Sequence, residues 1–228
     1  MFITEIFKSI QGEGSRSGLP CIFVRLTGCN LRCTWCDTAY AFHGGKKMSV
    51  EDVRARVDEL SGRSAAGKPV VALVELTGGE PLLQEDIYPL ADRLLAKGYT
   101  LMIETSGERF IGRLPKEVIK IVDVKCPDSG ERDTFDLRNL AELSSNDEVK
   151  FVLMSRRDYE FAREFSLEQR LAERVKEIVF SPVHDDPEGK WTGLEPRLLV
   201  EWMLEDGLNV RLGLQLHKIV WHAATKGV

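Results

Sequence analysis

Short apolar runs alternate along the chain with longer stretches in which apolar positions recur at helical spacing. Seven runs have the length and composition of strands, and they cover residues 21–26, 70–76, 100–103, 118–124, 149–153, 177–180 and 210–214. The stretches between them predict helices at residues 49–61, 85–97, 159–176 and 195–205. Ser49 suits the N-cap of the first helix, and Gly98 suits the C-cap of the second.

Strands that return through helices favour a parallel sheet. Seven runs come close to the strand number of a barrel, but 228 residues fall short of the ~250 typical of a complete eight-fold barrel. The pattern therefore predicts an α/β fold, an incomplete (β/α) barrel of about six parallel strands, in a single domain over residues 1–228. Reactive groups of such folds lie in the loops after the carboxyl ends of the strands.

Composition and charge narrow the class of protein further. The chain carries 31 basic and 36 acidic side chains, a net charge of −5, and is 43% hydrophobic. These values predict a folded core. The negative net charge gives no overall attraction for nucleic acid. No segment approaches the ~20 apolar residues of a membrane span, and the first residues lack a signal-peptide pattern. We therefore expect a cytoplasmic protein that acts on a small molecule, without a nucleic-acid or membrane partner.

Three of the five cysteines form a C-x3-C-x2-C pattern just after the first predicted strand. Cys29, Cys33 and Cys36 could bind one face of an iron–sulfur cube, because thiolates are the ligands that such clusters need. Three ligands leave one iron open. A Cys3His zinc site completed by His43 is the alternative, although zinc sites usually have paired C-x2-C spacing. The other two cysteines are interpreted as ordinary buried thiols.

A glycine pair follows the second predicted strand. Gly78 and Gly79, in the segment 77–81, let the backbone come close to a ligand and present its N–H and C=O groups. A Gly-Gly sequence alone is most often a plain turn. Its position one strand after the cysteine loop favours a binding role.

The cysteine spacing, with the aromatic Trp35 just before the last cysteine, resembles the signature of radical S-adenosylmethionine enzymes. The resemblance implies a modified radical SAM core with a [4Fe-4S] cluster, whose open iron binds the methionyl group of S-adenosylmethionine. Reductive cleavage of that molecule gives a 5′-deoxyadenosyl radical, while the protein binds, orients and excludes water. Trp35 would lie beside the adenine, and Gly79 would hold the methionine end.

Motifs over nearly the whole chain narrow the resemblance to the 7-carboxy-7-deazaguanine synthase family. They occupy residues 5–14, 36–38, 77–81, 103–107, 122–125 and 215–218. The resemblance implies a ring contraction of 6-carboxy-5,6,7,8-tetrahydropterin to 7-carboxy-7-deazaguanine with loss of ammonia, in queuosine and deazapurine biosynthesis. It further implies Mg²⁺, an electron donor such as flavodoxin, and a homodimer.

The resemblance assigns substrate binding to residues along the chain, and these are Ile10, Gln11, Gly12, Glu13, Arg25, Thr77 and His217. The Glu13 carboxylate suits the guanidine-like N–H pair of a pterin. Arg25 suits the substrate's carboxylate, and a charge in an apolar strand needs a partner. Thr38 would contact Mg²⁺, an ion that keeps much of its water.

A second set is assigned to the cofactor, and it comprises Trp35, Asp37, Gly78, Gly79, Glu80, Glu104, Ser106, Asp123, Lys125, Ser181 and His184. Residues 122–125 depart from the Ser-Pro-Lys form of some members, so that Lys125 is the clear match. Residues 181–184 likewise depart from a Gln-Pro form.

Two other functions fit the cysteine motif. A radical S-adenosylmethionine activase would abstract hydrogen from a glycine of a partner protein, and it needs an exposed docking surface. A non-catalytic iron–sulfur or zinc module needs four protein ligands and gives no reason for the glycine pair. Residues 11–14 and 36–38 favour the small pterin. His43 and His222 are interpreted as surface histidines.

Overall fold

The computed structural model describes residues 1–221, 225 and 227, so His222 lies outside the described residues. The strands are β1 (Phe2–Ile10), β2 (Pro20–Leu26), β3 (Lys46–Lys47), β4 (Leu73–Gly78), β5 (Thr100–Thr105), β6 (Ile119–Asp123), β7 (Glu148–Leu153), β8 (Glu177–Pro182) and β9 (Arg211–Leu212). The α-helices are α1 (Val50–Ser61), α2 (Ile87–Ala96), α3 (Asn139–Glu142), α4 (Arg156–Glu168), α5 (Pro196–Glu205) and α6 (Leu216–Val220).

Within these residues the strands form one sheet in the order β3-β1-β2-β4-β5-β6-β7-β8-β9. Each neighbouring pair from β2 through β9 is parallel, which confirms the predicted α/β class. The described strands leave the sheet open, because its two edges, β3 and β9, are not paired with each other. Seven strands are parallel rather than about six, since the two-residue β9 extends the sheet beyond β8.

The first strand is absent from the sequence predictions. β1 pairs with β2 in antiparallel orientation, with Ile10 opposite Pro20. Most of its side chains are half-buried, so neither an apolar run nor a clean alternation distinguishes it. Residues 11–13 therefore enter the site from an antiparallel strand.

The four predicted helices correspond to α1, α2, α4 and α5 and differ from them at their ends, while the short α3 and α6 were not predicted. Ser49 and Asp52 cap α1 reciprocally, and α2 is followed by Gly98 at a φ of +82°. The prediction of a helix over 159–176 is wrong at both ends. The helix α4 begins at Arg156, after its N-cap Ser155, and not at residue 159. It ends at Glu168, shortly before Arg170, whose φ is +52°. None of the described helices is long and apolar enough to span a membrane.

The period of two along each strand separates an apolar outer face from a mixed inner face. On the outer face Leu76 and Ile103 join the core under α1 and α2, while Phe151 and Phe180 join the core under α4 and α5. The inner face carries a smaller apolar cluster, formed by Cys21, Phe23, Leu73, Met102, Ile119 and Ile121. Towards the carboxyl ends of the strands this face becomes charged.

Leu76→Ala should lower the free energy of unfolding by about 2–5 kcal/mol, because Leu76 is fully buried on the outer face and its loss leaves a cavity. Val70→Ala, at a side chain 65% exposed, is the matched control and should change that free energy by less than about 0.5 kcal/mol. Urea denaturation of the cluster-free protein measures both. Equal effects of the two substitutions would contradict the assignment of this core.

Candidate active site

The carboxyl ends of the parallel strands meet at one edge of the sheet, where most of the predicted site residues are found. Register places Arg25 opposite Thr77, so both side chains lie on the inner face. The same alternation puts Glu104, Asp123 and Ser181 on the inner face of β5, β6 and β8. The sequence predictions from separate motifs thus converge on one surface.

The cysteine loop and the glycine pair are in direct backbone contact. The Glu80 N–H donates to the Gly28 carbonyl at 2.8 Å. A Cβ at Gly79 would lie 1.9 Å from that carbonyl oxygen and 3.1 Å from the Cβ of Cys29. Only glycine fits there, because a side chain would overlap the backbone. The loop after β4 is therefore seated against the cysteine loop.

Cys29, Cys33 and Cys36 are free thiols and partly exposed, as a loop that receives a cluster requires. Burial raises the pKa of all three, and that of Cys33 to about 11, so metal binding must displace their protons. Among the described residues no three His, Cys, Asp or Glu side chains converge on a single-ion position. The zinc alternative with His43 gains no support. Thiolates on separate irons of a cube need not converge.

The loop after β6 supports the cysteine loop from the side. Thr34 N–H donates to the Ser129 carbonyl, and Thr34 Oγ1 donates to the Asp128 carbonyl, both at 3.0 Å. The Arg32 N–H donates to the Glu131 carboxylate at 2.6 Å. These contacts fix the backbone on both sides of Cys33.

The Glu80 carboxylate joins the loop after β4 to the loop after β5. It is fully buried and accepts hydrogen bonds from Thr105 Oγ1, Ser106 Oγ, and the N–H groups of Ser106 and Leu82, at 2.8–3.0 Å. These donors fill the acceptor capacity of a carboxylate. Within the described structure, the side chains of Glu80 and Ser106 are hydrogen-bonded to each other. A ligand at this position would therefore contact the backbone.

Gln11 braces the loop that follows β1. Its Oε1 accepts from the Glu13 N–H at 3.0 Å, while its Nε2 donates to the buried Glu75 carboxylate. With both ends of the amide engaged and the residue 4% exposed, its side chain orients Glu13. A contact of the Gln11 amide with the substrate stays a prediction.

The Glu13 carboxylate faces one lysine and the start of α6. Its Oε2 lies 2.6 Å from Lys150 Nζ, and its Oε1 accepts from Gln215 Nε2 at 2.9 Å. Burial would raise the pKa of Glu13, but Lys150 and Gln215 outweigh burial and lower it. The carboxylate is therefore held ionised, the form that binds a paired N–H donor.

The helix α6 forms a wall beside this carboxylate. The Leu216 N–H donates to the Gly12 carbonyl at 2.9 Å, and a Cβ at Gly12 would lie 2.1 Å from His217 Nδ1. Lys218 Nζ lies 2.9 Å from Asp37 Oδ2. Burial would raise the pKa of Asp37, but the Lys218 ammonium holds it well below its usual range. Residues 12, 37 and 215–218 are thus held together.

Arg25 is fixed by two residues that the sequence predictions do not include. Its Nε donates to Glu5 Oε1 at 2.7 Å, and the Tyr40 hydroxyl donates to the same oxygen at 2.7 Å. The Arg25 side chain is 17% exposed and lies opposite Thr77 in the register of β2 and β4. This geometry leaves a cation at the edge where an anionic group could bind.

The remaining predicted residues differ in their surroundings. Asp123 pairs with Lys125 at 2.7 Å, while Asp123 Oδ1 and Ser181 Oγ are buried without a hydrogen-bond partner among the described residues. Such atoms suit a polar ligand. His184 is exposed beside the Asp185 carbonyl. Three further predicted residues, Ile10, Trp35 and Thr38, are half-buried.

The sequence predictions missed three charged residues on the inner face. Glu75, Glu148 and Lys150 are each nine-tenths or more buried. Glu75 and Lys150 lie within the predicted apolar runs 70–76 and 149–153, and Glu148 directly precedes the second run. The rule that singled out Arg25, that a buried charge needs a partner, applies to them as well. That signal was present in the sequence.

The fold and the cysteine loop define a radical S-adenosylmethionine enzyme, and the model of the radical SAM superfamily matches residues 23–125. The 7-carboxy-7-deazaguanine synthase of Koribacter versatilis is 52% identical over 234 aligned residues that cover both chains fully. That of Chlorobaculum tepidum is 39% identical and covers 99% of this chain and 96% of the relative. The chain belongs to the 7-carboxy-7-deazaguanine synthase family, whose members are radical SAM lyases.

Solved structures agree with this assignment. QueE from Escherichia coli has a TM-score of 0.69 at 27% identity and covers 94% of this chain and 93% of its own. Streptococcus suis SuiB, bound to precursor peptide SuiA, has a TM-score of 0.60 at 13% identity and covers 87% of this chain and 49% of its own. The second likeness concerns the fold alone. Family membership implies a [4Fe-4S] cluster and S-adenosylmethionine.

Acidification should loosen α6 from Gly12. Burial lowers the pKa of His217 below 6.5, although the Glu13 charge acts in the opposite direction. An undocked His217 binds protons more readily, so docking loses stability as the pH falls through 6.5. The protection factor of the Leu216 amide, measured by hydrogen exchange, should fall between pH 7 and about pH 5.5. In His217→Gln it should be independent of pH; the same fall in that variant would contradict the assignment.

Proposed function

We propose that this chain catalyses the radical S-adenosylmethionine- and Mg²⁺-dependent ring contraction of 6-carboxy-5,6,7,8-tetrahydropterin to 7-carboxy-7-deazaguanine, with release of ammonia, in queuosine and deazapurine biosynthesis. The observation that carries the proposal is the bridge made by Gln215. Its Nε2 lies 2.9 Å from Glu13 Oε1 and 3.4 Å from Asp37 Oδ2, the residue after Cys36. A carboxylate suited to a pterin thus adjoins the cysteine loop.

The residues around the cysteine loop fit the implied cofactors. Cys29, Cys33 and Cys36 would hold the cluster, and the glycine backbone seated against them would receive the methionine end of S-adenosylmethionine. When bound, these groups supply the radical that abstracts hydrogen from the substrate. The chain itself orients both molecules, and Asp123 and Ser181 offer unpartnered polar atoms on the inner face.

Substrate binding follows from two opposite charges at the same edge of the sheet. The ionised Glu13 carboxylate would accept from the guanidine-like edge of the pterin. Arg25, held by Glu5, would pair with the substrate's carboxylate, and Thr77 and His217 lie beside these two groups. The Thr38 hydroxyl donates to Asp37 Oδ1 at 2.9 Å, and its oxygen keeps lone pairs for Mg²⁺.

Other parts of the proposal rest on the sequence. The flavodoxin donor, the homodimer, the cytoplasmic location and the single domain over residues 1–228 stay predictions. The activase alternative gains no support from the relatives compared, since they are named as synthases along their full length. The non-catalytic alternative is wrong, because the chain belongs to an enzyme family.

The direct test is anaerobic reconstitution with iron and sulfide, followed by incubation with dithionite, S-adenosylmethionine, Mg²⁺ and 6-carboxytetrahydropterin. Mass spectrometry should detect 7-carboxy-7-deazaguanine, and omission of the cluster should abolish it. Formation of 5′-deoxyadenosine without the deazapurine would support the radical chemistry and contradict the proposed substrate.

Cys33→Ala should abolish cluster assembly and turnover, because it removes one of the three thiolates. Cys126→Ala, at a thiol buried in the core, is the matched control and should retain the cluster. Bound iron and sulfide per chain, with the visible absorption spectrum, measure the outcome. A Cys33→Ala protein with a full complement of iron would defeat the cluster assignment.

Thr38→Ala should weaken the response to Mg²⁺ more than S-adenosylmethionine binding, because it removes one oxygen from the metal site. Thr100→Ala is the control, because Thr100 is exposed at the first position of β5, the end of that strand opposite the site. Turnover titrated against Mg²⁺ gives the readout. An unchanged titration in Thr38→Ala would remove Thr38 from the metal site.

A further inference from the structure

Lys150 is a cation placed inside the sheet. Its neighbours in β7, Val149 and Phe151, are fully buried in the outer core, while its own side chain is 11% exposed on the inner face. An ammonium in such a position is costly unless it is paired and hydrogen-bonded. The position therefore requires acceptors on the inner face.

Two carboxylates from different parts of the site meet this requirement. Lys150 Nζ lies 2.6 Å from Glu13 Oε2 and 2.6 Å from Glu104 Oε1. Glu13 belongs to the loop after β1, and Glu104 lies near the end of β5. One ammonium thus connects the side proposed for the pterin with the side proposed for S-adenosylmethionine.

The charges around Glu13 make Lys150 important for keeping the Glu13 carboxylate ionised. Glu75 and Glu104 lie on the inner face of β4 and β5, and His217 approaches from α6. Burial, and then the charges of Glu104 and Glu13, raise the pKa of Glu75 well above its usual value. Glu13 and Glu104 are both paired with Lys150, and removal of that lysine would favour protonation of Glu13.

We propose that Lys150 is a positioning residue shared by the two sides of the active site: its ammonium holds Glu13 towards the pterin and Glu104 towards S-adenosylmethionine. This inference rests on the proposed function. Because a single cation serves both carboxylates, its loss impairs the binding of both molecules, and a change at one carboxylate alters the other.

Lys120 provides a matched control. It is also a buried strand lysine, and its Nζ lies 3.1 Å from the buried Asp147. It differs by lying on the outer face of β6 near the start of the strand, away from the site. Lys120→Met and Lys150→Met therefore both remove a buried ion pair, but only the second affects the site residues.

The test is anaerobic calorimetry on the reconstituted enzyme, with 6-carboxytetrahydropterin and with unreactive S-adenosylhomocysteine, across a range of pH. Lys150→Met should raise both dissociation constants by about 10- to 100-fold, the loss expected for charge-assisted hydrogen bonds. It should also move the acid limb of pterin binding to higher pH. Lys150→Arg, which keeps the charge, should restore part of both affinities, and Lys120→Met should change neither.

Glu104→Gln tests the sharing itself. With one carboxylate neutralised, Lys150 serves Glu13 alone, and the acid limb of pterin binding should move to lower pH. Unchanged dissociation constants in Lys150→Met, a loss confined to one of the two molecules, or an equal loss in Lys120→Met would overturn the inference. If the wild-type enzyme binds S-adenosylhomocysteine but no pterin, the proposed function fails instead, and the pterin half of this inference fails with it.

Discussion

The contact between Gly79 and the carbonyl of Gly28 is the constraint on which the site depends. It leaves no room for a side chain, and so it brings the loop after β4 against the cysteine loop. Glu80 extends this contact to the next strand, because its carboxylate binds Ser106. Three successive loops are thus tied in a row by backbone and buried hydrogen bonds, which gives a cluster-binding loop a rigid support.

The sequence could predict this arrangement where its signals are local. Parallel strands followed from short apolar runs, and the cysteine loop followed from spacing. The antiparallel β1 was missed because its side chains are half-buried and follow no clear period. Lys150 was missed for another reason: a lone charge in an apolar strand shows that a partner exists, whereas the identity of that partner depends on which strands are neighbours. Strand order is a property of the whole chain.

Motif residues also divide into those that face the open site and those that hold others in place. Gln11 and Glu80 both belong to sequence motifs, yet each is buried with its side chain engaged by other protein groups. Spacing identifies the segment and leaves open which atoms of it face outward. The hydrogen-bond partners decide that question, because an amide or carboxylate whose donors and acceptors are occupied has little left for a ligand.

The bond between Gln215 and Glu13 spans 202 residues. Closing so long a loop costs more entropy than local pairing. The contact between the cysteine loop and the glycine pair joins residues 28 and 80, whereas the wall at Glu13 needs residues near both ends of the described chain. The pocket beside Glu13 is therefore complete only when α6 is docked on the loop after β1.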